Sequence, residues 1–341
     1  MRSGLSTSSG PLQKTSTGRA LWVLARPRML PYVLVLVAVG SAWAHWDRAL
    51  NLVNGEALLG VMCAWSLLHA GTLWLNAAVD RDDGEVLFGE AVEPPEGILT
   101  WGYGALFLSV TIALLAHPVA GLACAACAIM AIGYSHPRSL WKGHPVGGPL
   151  VNLVGYGLLT PLAGWSVVGV AANPRTLVVW GLGAGGVLGL YFAAQAFQQQ
   201  EDAARSYRTL VVTHGPEVTL QVSRSLIVGI AVAGMLLTAI GWFPRICLLG
   251  LPLVWNIDRW MRAWARQPNG GSEAWARGTA KRLMWMGAAG LALATVEYAR
   301  ASFAGEPVAG LGTHAGHPSD RPVLSPAQMR VWELSKRVTQ H

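Results

Sequence analysis

The feature that most constrains the fold is a series of nine apolar segments, each of bilayer-spanning or near-spanning length. Only 13% of the residues are charged and 52% are hydrophobic, whereas a soluble domain has about 25% charged residues. The sequence therefore predicts an all-α polytopic membrane protein with about nine transmembrane helices. The apolar segments cover residues 29–45, 56–79, 98–116, 118–134, 148–171, 176–197, 218–242, 245–261 and 282–301.

The distribution of basic residues predicts the orientation in the membrane. If nine helices follow a cytoplasmic N-terminus, most Lys and Arg residues fall in cytoplasmic loops, as the positive-inside rule requires. The net charge of +7 is explained by the basic residues that set the orientation and by attraction to anionic membrane lipid. No nucleic-acid partner is therefore expected. We predict an integral, multi-pass protein of the bacterial inner (cytoplasmic) membrane with its N-terminus in the cytoplasm.

Three regions are predicted along the chain. Residues 1–25 are rich in Ser, Thr and Gly and have no apolar core before Leu21, which favours a flexible cytoplasmic arm over a cleaved signal peptide. Residues 26–302 hold all the apolar segments and form the transmembrane domain. Residues 303–341, with their Gly, Pro and His, are predicted to be a mobile tail with one short helix.

An acidic stretch follows the second apolar segment directly. If that helix continues for one more turn, Asn76, Asp80 and Asp83 fall at i, i+4 and i+7 on one face. The C-terminal end of a helix already has partial negative charge, so clustered carboxylates there favour a bound cation. A solvated loop at the membrane edge is the alternative interpretation.

A basic loop follows the fourth segment. Tyr134 and Ser135 offer hydroxyl groups, and Arg138 and Lys142 follow four residues apart. The forked guanidinium group of Arg138 and the mobile ammonium group of Lys142 are together suited to binding a diphosphate. The same residues are equally typical of the ordinary positive charge that flanks a membrane helix.

A second polar helix end follows the sixth segment. Gln195, Gln198 and Asp202 lie at i, i+3 and i+7, so their side-chain oxygens share a face. With nine helices this end lies at the same membrane surface as Asp80. Two such ends opposite each other could hold Mg²⁺, a hard ion that prefers oxygen ligands and shares its coordination with phosphate.

With these motifs, the chain between Arg26 and Arg300 resembles the UbiA superfamily of membrane-embedded prenyltransferases. Three stretches carry the resemblance. Asn76 to Gly84 stands where the family has Asn-Asp-x-x-Asp-x-x-x-Asp, and Tyr134 to Arg138 resembles its tyrosine-proline-basic loop. The end of its second motif, Asp-x-x-x-Asp…Thr-Leu…Gly, is matched by Asp202, Arg208-Thr209-Leu210 and Gly215.

The chain departs from these motifs at several acidic positions and is therefore predicted to be a divergent member. Ala77 replaces an acid, and Gly84 stands at the last aspartate of the first motif. In the second motif Gln198 stands at the first aspartate and Gln195 at a still earlier acid. An amide can offer a carbonyl oxygen but no charge, so these changes should weaken Mg²⁺ binding.

The resemblance implies Mg²⁺-dependent transfer of a prenyl group from an isoprenyl diphosphate to a hydrophobic, aromatic acceptor at the cytoplasmic face. The enzyme class is a transferase of alkyl groups other than methyl. Asp80 and Asp202 would be catalytic. The implied Mg²⁺ ligands are Asn76, Asp80, Asp83, Gln198 and Asp202. The implied diphosphate-binding residues are Tyr134, Arg138, Lys142 and Arg208.

Two other functions remain open at the level of sequence. A UbiA-type membrane terpene cyclase would ionise the same diphosphate but close the cation on itself. A catalytically silent prenyltransferase fold would bind an isoprenoid lipid or a membrane partner, and the glutamines at aspartate positions favour it.

Overall fold

The structure is a computed structural model that describes residues 15–44, 54–80, 86–90, 92–243 and 245–304. Within those ranges the chain forms helices and no β-strand, as the apolar segments predict. The α-helices are α1 Thr17–Leu24, α2 Leu30–Ala44, α3 Gly55–Asp80, α4 Ile98–Ala116, α5 Pro118–Ser135, α6 Gly147–Asn152, α7 Thr160–Ser166, α8 Pro174–Gln195, α9 Gln199–Ala204, α10 Leu210–Ala239, α11 Leu251–Trp264 and α12 Glu273–Ala304.

Each predicted apolar segment coincides with helical structure, although the helices differ in their suitability for crossing a membrane. Among the described residues, α3, α4, α5, α8 and α10 are long and apolar enough to span a bilayer, and α2 is a shorter apolar helix. The fifth segment is α6, a π-helical turn at Leu153–Leu159, and α7 in one continuous run. The eighth segment combines a 3₁₀ helix at Arg245–Gly250 with α11. The number nine thus stays a prediction.

The structure describes a helix near the N-terminal end of the chain and describes residues at the other end only as far as residue 304. Helix α1 lies within the predicted flexible arm, and its Leu21 carbonyl accepts a hydrogen bond from Trp74 Nε1 on α3 at 2.8 Å. Helical structure thus begins at Thr17, and the flexibility of the arm over residues 1–25 stays a prediction. The predicted tail helix beyond residue 304 lies outside the described residues.

Local sequence signals set several helix boundaries. Pro174 at the first turn of α8 follows Asn173, whose Oδ1 accepts from the Thr176 backbone N–H at 2.9 Å. That side chain satisfies one of the N–H groups that have no partner within the helix. Helix α4 starts after Gly97 with φ 73°, a left-handed conformation that glycine adopts without strain.

Small residues allow α2 and α7 to cross closely. A methyl group added at Gly40 of α2 would overlap the Pro161 carbonyl, and one added at Gly164 of α7 would overlap the Val37 carbonyl. Such contacts are typical of membrane bundles, where helices associate through close packing. They join α2 and α7 to the buried cluster that contains Trp65 and Leu68 of α3.

The Gly164→Ala variant is expected to be less stable by about 1–3 kcal/mol, because the added methyl forces α2 and α7 apart. The control is Gly104→Ala on α4, where an added methyl meets nothing within 4 Å. Both variants gain helix propensity. Thermal unfolding in detergent should therefore show a lower melting temperature for Gly164→Ala alone. Equal melting temperatures would contradict this packing.

Candidate functional site

The C-terminal end of α3 presents Asn76 and Asp80 on one face, as predicted from their spacing. Lys142 Nζ donates to Asn76 Oδ1 at 2.9 Å and forms an ion pair with the Asp80 carboxylate. The Lys142 and Asp80 side chains are only 5% and 7% exposed. Ser135 Oγ also donates to Asn76 Oδ1, at 3.3 Å. A lysine ammonium therefore lies between two residues predicted as metal ligands.

The loop between α5 and α6 places Lys142 on a short 3₁₀ helix, Trp141–Gly143. The Gly143 carbonyl accepts from the Arg208 backbone N–H at 2.8 Å. A side chain at Gly143 would collide with the Tyr207 ring, so glycine is required for this approach. The loop that holds Lys142 is thus packed against the segment between α9 and α10.

That segment brings Tyr207 to Asp80. The Tyr207 hydroxyl donates to Asp80 Oδ1 at 3.2 Å, and its backbone N–H donates to the Asp202 carbonyl at 2.9 Å. Burial, together with the nearby charge of Asp80, raises the pKa of Tyr207 above its usual value, so the hydroxyl keeps its proton. Arg205 Nη2 forms an ion pair with Glu201 Oε1 at 2.7 Å. The same nitrogen donates to the Asp80 backbone carbonyl at 3.4 Å.

Asp202 is the buried acid of the second helix end. Its Oδ2 accepts from Thr209 Oγ1 at 2.8 Å, and the residue is 8% exposed. Burial raises the pKa of Asp202, while the Thr209 hydrogen bond and the charge of Arg205 oppose the shift. Asp80 and Lys142 both act on it electrostatically, so the ends of α3 and α9 share one site.

The two glutamines have different environments. Gln195 is buried, and its Nε2 donates to the Tyr191 hydroxyl at 2.8 Å, but its Oε1 finds no hydrogen-bond partner within the described ranges of the chain. Gln198 is half-buried before α9, and its carbonyl accepts from the Asp202 backbone N–H at 2.9 Å. A buried carbonyl oxygen without a partner is unfavourable unless a ligand or cation completes it.

The oxygen groups of this site fit Mg²⁺ in chemical type. Asn76, Asp80, Gln198 and Asp202 offer amide and carboxylate oxygens, the ligands that a hard divalent ion prefers. No cluster of three or more His, Cys, Asp or Glu side chains suited to a metal occurs in the part of the chain that the structure describes. Asp83 lies outside that part. Binding a metal here would require Lys142 to give up its contacts with Asn76 and Asp80.

The remaining predicted residues lie around this centre. Tyr134 is at the end of α5, next to Asn152 and Tyr191, and Asp80 and Asp202 both act on it electrostatically. Arg138 and Arg208 are exposed. Arg208 contributes its backbone N–H to the contact between the two loops.

Tyr207 and Arg205 belong to the site but were not predicted from the sequence. Both lie between Asp202 and Thr209, two residues of the matched motif, and that position was the available signal. Their contact with Asp80 depends on how the loop after α9 folds back, since Ser206 has a left-handed φ of 60°. The periodicity of a continued helix does not predict this turn.

The described helices and the two polar helix ends that face each other place this chain among membrane helical bundles that act as enzymes or binding proteins. A model of the UbiA prenyltransferase family matches residues 29–299, and the chain belongs to that family. No curated protein is detectably similar in sequence.

Solved structures of UbiA homologues share the fold. The structure of a UbiA homologue from Archaeoglobus fulgidus bound to GPP and Mg²⁺ is 18% identical, with a TM-score of 0.59 over 81% of this chain and 99% of that one. Its complex with DMAPP and Mg²⁺ is 17% identical, with a TM-score of 0.57 over 81% and 98%. A structure described for digeranylgeranylglyceryl phosphate synthase is 15% identical, with a TM-score of 0.55 over 83% and 98%.

Proposed function

We propose that this protein transfers a prenyl group from an isoprenyl diphosphate to a hydrophobic, aromatic acceptor, with Mg²⁺ as cofactor, at the cytoplasmic membrane face. The observation that carries the proposal is the meeting of the ends of α3 and α9, where Lys142 and Tyr207 both contact Asp80. Family membership and the diphosphate complexes of homologues support it. The proposed location is the bacterial inner membrane, with a cytoplasmic N-terminus and residues 26–302 as the membrane domain.

In this proposal each residue has a defined task. Asn76, Asp80, Asp83, Gln198 and Asp202 would hold Mg²⁺, which as a Lewis acid stabilises charge on the departing pyrophosphate. Lys142 would turn from Asp80 to the diphosphate. The residues proposed to bind the diphosphate with it are Tyr134, Arg138 and Arg208.

The chain's own groups supply the rest of the chemistry. Tyr207 keeps its proton and can donate a hydrogen bond to a diphosphate oxygen, as it now does to Asp80. Donors fixed before the reaction favour bond cleavage because they need not reorient as charge develops. Loss of pyrophosphate breaks the bond between the allylic carbon and the diphosphate oxygen, and apolar helices keep water from the resulting cation. The acceptor ring then forms a bond to the allylic carbon and releases a ring proton, which the departed pyrophosphate can accept.

A catalytically silent fold is a second candidate function, and two observations favour it. Lys142 already neutralises Asp80 and contacts Asn76, and glutamines stand at two acidic positions of the second motif. Because Lys142 already offsets the negative charge of Asp80, the site has less need of a metal cation. Such a protein would bind an isoprenoid lipid or a membrane partner.

Product analysis tests the proposal. Membranes that contain the protein would receive labelled isoprenyl diphosphates of several chain lengths and Mg²⁺, with and without a panel of aromatic acceptors. We expect a prenylated acceptor that forms only when the acceptor is present. A hydrocarbon formed without acceptor would indicate the cyclase, and no turnover with no Mg²⁺-dependent thermal stabilisation would indicate the silent fold.

A further inference from the structure

A buried histidine lies on the functional face of α3, deeper in the bundle than the polar end. His69 is seven residues before Asn76 and eleven before Asp80, spacings that place the three side chains on one face. The helix rise separates His69 from Asn76 by about 10 Å. Trp65, one turn earlier, donates from Nε1 to Thr160 Oγ1 of α7 at 3.0 Å. This face of α3 therefore points into the bundle.

The ring nitrogens of His69 lack a hydrogen bond of normal geometry. The residue is 3% exposed, and neither Nδ1 nor Nε2 has a hydrogen-bond partner among the residues that the structure describes. The backbone carbonyls of Ala25 and Arg26 lie nearby but outside hydrogen-bonding geometry. Native proteins rarely leave buried polar atoms unsatisfied, because desolvation is then uncompensated. A neutral imidazole offers one donor and one acceptor, so a polar ligand can satisfy it.

Two unusual backbone features are linked to His69 through the charge of Arg26. Arg26 has a left-handed φ of 47°, which is strained for a residue with a side chain, and its charge acts on both His69 and Tyr156. Tyr156 lies in the π-helical turn Leu153–Leu159. Strained residues and π-helical turns occur often at functional sites.

We propose that His69 hydrogen-bonds the hydroxyl group of the prenyl acceptor, an aromatic ring that bears at least one hydroxyl. The inference rests on the proposed function, since it requires a diphosphate bound near Asn76 and Asp80. The separation of about 10 Å along α3 is comparable to the length of one hydroxylated aromatic ring plus a hydrogen bond to His69. His69 is thus a binding residue that fixes the depth and orientation of the acceptor.

A pair of probes of equal shape tests this assignment in the purified full-length protein. We expect wild type to bind 2-naphthol more tightly than 2-methylnaphthalene, by about three- to tenfold for one hydrogen bond. The ratio of the affinity for 2-naphthol to that for 2-methylnaphthalene should fall to about one in His69→Leu. Part of the preference should be retained in His69→Gln. An unchanged ratio in His69→Leu, or no preference in wild type, would overturn the assignment.

Two further measurements separate this assignment from the proposed function and from a structural role. Stabilisation by geranyl thiodiphosphate with Mg²⁺ should be the same in wild type and His69→Leu. Its absence in wild type would overturn the proposed function and, with it, the acceptor site. Without ligand, His69→Leu should unfold at the same or a higher temperature. A drop of several degrees would show that His69 instead supports the segment at Ala25 and Arg26.

Discussion

Replacing Asp80 with asparagine is expected to lower the rate of pyrophosphate release by about 10²–10³-fold, the size of effect seen when one preorganised electrostatic group is lost. The substitution keeps the shape of the side chain but removes its charge. Asp80 accepts from Tyr207 and pairs with Lys142, so its carboxylate organises both loops around the site. Initial rates with labelled geranyl diphosphate and Mg²⁺ measure the effect.

The control for this substitution is Glu96→Gln, which removes a carboxylate from the exposed loop before α4. This variant changes the net charge equally but should retain a rate within about twofold of wild type, as surface substitutions usually do. Comparable rates for Asp80→Asn and Glu96→Gln would mean that Asp80 is not part of an active site.

Replacing Lys142 with methionine is expected to destabilise the ligand-free protein by about 3–5 kcal/mol, the typical effect of removing one partner from a buried ion pair. Lys142 and Asp80 are both almost fully buried, so the Asp80 carboxylate would lose its compensating charge. Mg²⁺ should restore much of the loss by binding near Asp80, and it should stabilise the variant more than wild type. Thermal unfolding with and without Mg²⁺ measures both effects.

Lys281→Met is the control, because Lys281 is exposed on α12. It removes the same charge and should leave both the melting temperature and its response to Mg²⁺ close to wild type. If Mg²⁺ did not stabilise Lys142→Met beyond this control, the Asp80 end of α3 would not be a metal site.

The architecture could be predicted from the apolar segments because each must bury its backbone polar groups within a helix to cross a membrane. The face shared by Asn76 and Asp80 followed from helical periodicity, and the structure shows both side chains in contact with Lys142. The pairing of the α3 end with the end of the sixth apolar segment was predicted from helical periodicity, and the electrostatic influence of Asp80 on Asp202 agrees with it. The continued helix that would place Gln195, Gln198 and Asp202 on one face was wrong, because α8 ends at Gln195 and Asp202 lies on the separate helix α9.

The contacts that complete the site could not be predicted in the same way. Tyr207 reaches Asp80 through a left-handed turn at Ser206, and sequence periodicity contains no information about such a turn. The diphosphate-binding role of Lys142 stays a prediction. Its ion pair with Asp80 was not predicted from the sequence, and it arises because burial of that carboxylate requires a counter-charge.

His69 is a clearer example of a feature that the sequence pattern does not predict. A histidine in an apolar segment without ligand spacing has no signal in the sequence that separates a structural from a functional role. Its two unsatisfied ring nitrogens become evident only when neighbouring helices enclose it. The same holds for the π-helical turn Leu153–Leu159, which no apolar pattern distinguishes from a regular helix.

Mg²⁺-dependent pyrophosphate release from geranyl diphosphate by the purified protein tests the central claim most directly. The proposed function predicts release with Mg²⁺ that is abolished by a chelator and lost in the double variant Asp80→Ala, Asp202→Ala. Release that continues unchanged in the double variant, or wild-type protein that releases no pyrophosphate with any isoprenyl diphosphate and acceptor, would contradict it.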